Sequence, residues 1–151
     1  MERQEDVTKK TVLLIDDEQG YLEALADALE FEGYNVLKAT TAENALRILE
    51  NNKIDLVTID IMLPPGQSLE KDVESHQTGI FLCEQIRKKY PEIDAFAISV
   101  ISNVSEIRKI ESLGVRFLRK GETPLRTVLN MIRSRLEGIP YSTHLDKRGM
   151  N

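Results

Sequence analysis

Short apolar runs alternate with helical stripes five times along this chain, and that alternation leaves few ways to fold it. Val12-Leu13-Leu14-Ile15 is a run of β-branched and leucine side chains fit for a strand buried on both faces. Leu22, Leu25, Ala26 and Leu29 then recur at i, i+3, i+4 and i+7, one face of a helix that stops near Gly33. Residues 35–39 read as the second strand. Thr41 is the expected N-cap of a second helix that carries Ala42, Ala45, Leu46 and Leu49 and ends at Asn51-Asn52. Residues 56–60 form the third strand. Leu82, Cys83, Ile86 and Tyr90 mark the third helix, which Pro91 closes. Residues 95–99 and 116–119 are the fourth and fifth strands, separated by a weaker helix over 104–113 that Gly114 ends. Leu125, Val128, Leu129, Ile132 and Leu136 give the strongest stripe, ended by Gly138 and Pro140. Units of this size force parallel strands with right-handed crossovers and helices on both faces of the sheet. The expectation is an α/β doubly wound parallel sheet.

In open sheets of this kind, chemistry gathers outside the carboxyl ends of the strands. Asp16-Asp17 end the first strand there, Asp60 ends the third, Ser99 ends the fourth and Lys120 follows the fifth. Converging carboxylates repel, so such a cluster persists mainly where a cation neutralises it. Mg²⁺ fits, since it takes oxygen ligands, keeps waters and works with one or two carboxylates plus a phosphate. Lys120 is a compact charge suited to a phosphate oxygen, or to pairing with Asp60 when no phosphate is present. The Ser99 hydroxyl can donate to another phosphoryl oxygen. The five residues together read as phosphoryl transfer onto Asp60, giving an aspartyl phosphate.

Composition narrows the alternatives. The chain has 151 residues, enough for one domain with a substantial core. Its formal net charge of −5 disfavours a general nucleic-acid or anionic-membrane surface. Cys83 is the one cysteine, so no intrachain disulfide forms, and a buried helix face is its expected place. No apolar stretch approaches the roughly 18 residues that span a membrane. The charged first ten residues lack the apolar segment of a signal peptide, so a cytoplasmic protein is expected. Residues 1–10 read as a tail, 11–138 as the domain, and 139–151 as a polar tail or linker stub. His76 and His144 have no partner at metal-ligand spacing and are expected at the surface. The polar stretch 65–78 is long for a strand-to-helix connection.

The chain resembles the receiver domain of bacterial two-component response regulators. The segments that carry the resemblance are Val12-Leu13-Leu14-Ile15-Asp16-Asp17-Glu18, Asp60-Ile61-Met62-Leu63-Pro64, Ala97-Ile98-Ser99 and Phe117-Leu118-Arg119-Lys120. The resemblance implies a flavodoxin-like fold of five βα units with strand order 2-1-3-4-5, here with an extended loop between the third strand and third helix. It implies Asp60 as phosphoacceptor, charged by a sensor histidine kinase or phosphotransfer protein. Asp17 is implied as the direct Mg²⁺ ligand, Asp16 as acting through water, and Asp60 and the backbone carbonyl of Met62 as further ligands. Ser99 and Phe117 match the switch hydroxyl and switch aromatic, and Lys120 the phosphate-binding lysine. Such a domain is no enzyme beyond catalysing its own aspartyl phosphorylation and dephosphorylation. Its output is a changed association with a downstream protein or with itself, through the fourth and fifth helices and fifth strand, with no nucleic acid or membrane bound directly.

The chain departs from the family pattern in several places. Gly79 follows Pro64 by fifteen positions where the family spacing is four, an insertion of eleven residues beside the site. Val100 follows the switch hydroxyl, where a small residue is usual. Gly121 stands where Pro commonly follows the lysine, and Phe117 replaces the commoner Tyr. These departures leave a second reading, a receiver-like interaction module that is not phosphorylated. A third, a phosphatase with an aspartyl intermediate, is weakened by Met62, which stands where such enzymes carry a second acid.

Overall fold

In the computed structural model, which describes residues 9–67 and 77–139, the chain runs β1 (Thr11–Ile15), α1 (Gln19–Phe31), β2 (Asn35–Ala39), α2 (Ala42–Asn51), β3 (Leu56–Ile59), α3 (Thr78–Lys89), β4 (Asp94–Ser99), α4 (Val104–Ser112), β5 (Arg116–Arg119) and α5 (Leu125–Glu137). All strand pairs are parallel, as expected from the alternation, and the order is β2-β1-β3-β4-β5, as the resemblance implies. The interior of the 65–78 connection with His76, most of the N-terminal tail, and the C-terminal tail with His144 lie outside the described residues.

Strand alternation splits the core into two layers. Leu13, Ile15, Val57, Ile59, Ala95 and Ala97 face α2, α3 and α4, and meet Ala45, Leu82, Ile86 and Ile110. Val12, Leu14, Leu56, Phe96, Ile98 and Leu118 face α1 and α5, and meet Leu25, Leu29, Val128 and Ile132. Each fully buried Leu, Ile or Phe contributes about 1.5–3 kcal/mol. Cys83 lies in the first layer, fully buried, and burial pushes its thiol up to about 12. Among the described residues, no helix is long and apolar enough to cross a membrane.

Local signals set most boundaries. The Thr41 hydroxyl accepts from the Asn44 N–H at 3.1 Å and caps α2, and the Asn103 side chain caps α4 in the same way. Gly138, at φ +69°, ends α5. The start of α3 differs from the sequence reading: it lies at Thr78, ahead of the stripe that opens with Leu82. Thr78 and Gly79 are both buried, and neither adds to a hydrophobic periodicity. Gly79 is placed by packing, since a Cβ there would overlap the backbone of Ile61, one residue beyond Asp60. The loop after β3 is also tied to α2, because the carbonyls of Pro64 and Pro65 accept from the N–H groups of Ala42 and Glu43 at 3.1 and 3.0 Å.

Candidate functional site

The sheet ladder runs one residue past its strand ends, and that extra step aligns the site. Asp16 donates its backbone N–H to Ala39, Asp60 to Ile15, and Lys120 to Ser99, at 2.8–3.0 Å. Each acceptor is the last residue of the neighbouring strand. Three functional side chains therefore leave the sheet at one level. Asp16, Asp60 and Lys120 continue the alternation of Leu14, Thr58 and Leu118, on the α1/α5 side. Ser99 continues that of Ala95 and Ala97, on the other side.

Carboxylate oxygens of Asp16, Asp17 and Asp60 all lie within 4.8 Å of one another. Asp16 and Asp60 are buried, and Asp17 is exposed. Both Asp16 oxygens are engaged: Oδ1 accepts from the Glu18 N–H at 2.8 Å, and Oδ2 accepts from Lys120 Nζ at 2.7 Å. Burial pushes the Asp16 carboxyl up to about 6, aided by repulsion from Asp60 and opposed by the Lys120 and Glu18 hydrogen bonds. Asp60 divides its oxygens. Oδ1 accepts from the Ser99 hydroxyl at 3.0 Å and from the Met62 N–H at 3.1 Å, while Oδ2 faces Lys120 Nζ at 3.6 Å.

Lys120 reaches Asp60, but its closer partners are Asp16 and Glu18, at 2.7 and 2.8 Å. Burial alone would lower its pKa, and the hydrogen bonds to those two carboxylates hold it above the ordinary lysine value. The ammonium also sits 4.8 Å from the centre of the Tyr21 ring. Sequence reasoning did not single out Glu18 or Tyr21. Glu18 had a signal in the acidic run it completes. Tyr21 had none, since it lies just before the helical stripe. Among the described residues, one ammonium stands against four carboxylates, and carboxylate oxygens this close suit a hard divalent ion. Both oxygens of Asp16 and Oδ1 of Asp60 already accept hydrogen bonds.

The remaining residues frame the site. Phe117 is half-buried on β5 opposite Ala97 and packs on the α2–α4 layer. Val100 beside Ser99 is 64% exposed, and Met62 is also exposed, so both stand open at the rim. Gly121 takes φ +86°, which proline cannot adopt, so the backbone after Lys120 follows a path of its own.

The sequence matches the family model described as the response regulator receiver domain over residues 12–132. It is 33% identical over 106 residues to the phosphate regulon transcriptional regulatory protein PhoB of Pseudomonas aeruginosa, covering 70% of this chain and 42% of that one. It is 35% identical over 80 residues to the alkaline phosphatase synthesis transcriptional regulatory protein PhoP of Bacillus subtilis, covering 53% and 29%. The chain thus spans less than half the length of these relatives. Among solved structures, a CheY-like response regulator receiver domain protein from Methanospirillum hungatei matches with a TM-score of 0.74 at 27% identity, covering 87% of this chain and 96% of that one. A response regulator from Burkholderia pseudomallei, solved with a phosphorylated aspartic acid, a calcium ion and citrate, matches with a TM-score of 0.66 at 19% identity, covering 87% and 74%. At that identity the likeness is one of fold.

Proposed function

Since this chain belongs to the response regulator receiver domain family, we propose that it is a phosphorylatable switch of a two-component phosphorelay, with Asp60 as its acceptor. The observation that carries this reading is the division of labour between the two oxygens of Asp60. Oδ1 is anchored by the Ser99 hydroxyl and the Met62 N–H, and Oδ2 is left facing Lys120. Oδ2 is the less hydrogen-bonded oxygen and so the better nucleophile.

In the proposed step, Oδ2 attacks the phosphorus of a phosphohistidine on a sensor histidine kinase or phosphotransfer protein. The P–O bond forms as the P–N bond breaks, and the imidazole leaves as a neutral ring with the bonding pair on one nitrogen and the proton it already carried on the other. Lys120 swings from Glu18 toward the phosphoryl oxygens and offsets their charge. The Ser99 hydroxyl exchanges Oδ1 of Asp60 for a phosphoryl oxygen, and Phe117 follows into the space behind it. Asp17, Asp60 and the Met62 carbonyl would hold Mg²⁺ directly, with Asp16 acting through water. Bound there, the ion would add positive charge that offsets the charge on the transferring group. The α4–β5–α5 surface would carry the output to a protein partner or a second copy, in a domain spanning residues 11–138 of a cytoplasmic protein. Val100 and Met62, open at the rim, are the side chains an approaching donor or water meets first.

Incubation with Mg²⁺ and acetyl phosphate should raise the intact mass by one phosphoryl group, and Asp60→Asn should abolish the increment. An increment that survives in Asp60→Asn, or none in the wild type with acetyl phosphate or a kinase, overturns the reading. The interaction-module reading draws on the tighter hold of Asp16 and Glu18 on Lys120. A thermal shift with Mg²⁺ counts against it.

A further inference from the structure

Lys120 is gripped on two sides by carboxylates that pull it apart. Asp16 and Glu18 lie at 2.7 and 2.8 Å, Asp60 at 3.6 Å, and the Glu18 side chain is 63% exposed. Buried Asp16 holds the ammonium beside Asp60, while exposed Glu18 competes for it. Glu18 offers it a path outward into water. On a further side lies the Tyr21 ring, 4.8 Å from Nζ, at the start of α1.

We infer that Tyr21 is a positioning residue for Lys120, and that its aromatic face keeps the ammonium within reach of Asp60. This rests on the reading of Asp60 as phosphoacceptor. Three observations carry it. A cation within about 6 Å of an aromatic centroid is attracted to the ring face, most strongly where water is excluded, and the Lys120 side chain is only 7% exposed. The ring also lines a recess between α1 and the sheet together with Asp16, Leu25, Thr58, Asp60 and Ile98, so it belongs to the same site as the two buried acids. Third, the Tyr21 hydroxyl is buried and has no hydrogen-bond partner among the described residues. What this side chain offers the site is its ring.

The contributions of ring and hydroxyl separate experimentally. Tyr21→Phe keeps the ring, and Tyr21→Leu removes it at similar bulk. In the metal-free protein, ring-current shifts of the Lys120 ε-methylene protons, read by NMR, should persist in Tyr21→Phe and vanish in Tyr21→Leu. With Mg²⁺ present, affinity for beryllofluoride, a phosphoryl mimic, should fall roughly tenfold in Tyr21→Leu and stay within twofold in Tyr21→Phe, the range of a desolvated cation–π contact. Affinity for Mg²⁺ alone should hold in both variants, because the acids remain. Undiminished beryllofluoride binding in Tyr21→Leu overturns the inference, as does an equal loss in Tyr21→Phe. A parallel loss of Mg²⁺ affinity in Tyr21→Leu also overturns it, since that marks a merely structural role. A wild type with the ring-current shift but without beryllofluoride binding defeats the phosphoacceptor reading, and this inference with it.

Discussion

Among the described residues, Lys120 is the one cation against four carboxylates in this site, so its removal should expose what it neutralises. Asp16 and Asp60 are buried, and stripping a buried acid of its partner costs about 3 kcal/mol or more. Lys120→Ala should therefore lose about that much stability to urea in EDTA, and recover much of it with Mg²⁺, which can take the ammonium's place. Equal losses with and without the metal would sink this account. The titration of Asp16 makes a second test. Its carboxyl is raised from 3.8 to about 6 in the folded protein, so the fold takes up a proton in that window. In metal-free buffer this group's contribution to stability is then fullest below 3.8 and is lost as pH rises through about 6. Mg²⁺ binding runs the other way, because the metal favours the ionised cluster. Melting curves across pH 4–7, with Mg²⁺ and with EDTA, should converge at the acid end. The positions of Asp16, Asp17, Asp60, Ser99 and Lys120 on one rim were legible in the sequence, because each ends or follows an apolar run. Lys120's preference for Asp16 and Glu18 was not, since it depends on side-chain distances of a few ångströms that no spacing encodes.

Among the elements, α3 depends most on one small residue. Gly79 has no side chain because the Ile61 backbone fills the space where a Cβ would stand. Its own N–H donates to the Ile61 carbonyl at 3.2 Å. Gly79→Ala should cost about 1–3 kcal/mol through overpacking, and should weaken phosphoryl uptake by moving the loop that carries Asp60. Chemical denaturation and the mass assay together check both effects. The sequence showed Gly79 as a displaced family position, while the reason for the glycine lies in backbone proximity across an insertion. The clamp at the other end of α3 was likewise invisible. Arg87 donates to the carbonyls of Leu113 and Ile93, at 2.9 and 2.8 Å, tying α3 to the end of α4 and the start of β4. Helix stripes mark which residues face the core, and they say nothing about which long polar side chain closes a distant carbonyl.

Over the whole molecule, the parallel pairing and the helices on both faces followed from the alternation, because βα units admit few topologies, while the strand order came from the resemblance. The layers should also order the dynamics. β1 and β3 are central and almost wholly buried, while β2 and β5 are edges with exposed positions. Amide hydrogen exchange should be slowest in β1 and β3 and faster in the edges. Cys83 offers a companion readout. Fully buried, with its thiol pushed up to about 12, it should react with a thiol reagent only at the rate at which its layer opens. Fast labelling of the native protein would contradict that packing. The bond from Ser99 to Asp60 has one more consequence. By strand alternation it begins on one side of the sheet and ends on the other, so one hydrogen bond links the two sides at the Asp60 carboxylate. A change of charge on that carboxylate is news to both layers at once, and no strand has to slide to deliver it. Methyl groups beneath α4 and beneath α1 should then shift together as beryllofluoride is added with Mg²⁺, at one shared midpoint, like two rooms sharing one doorbell.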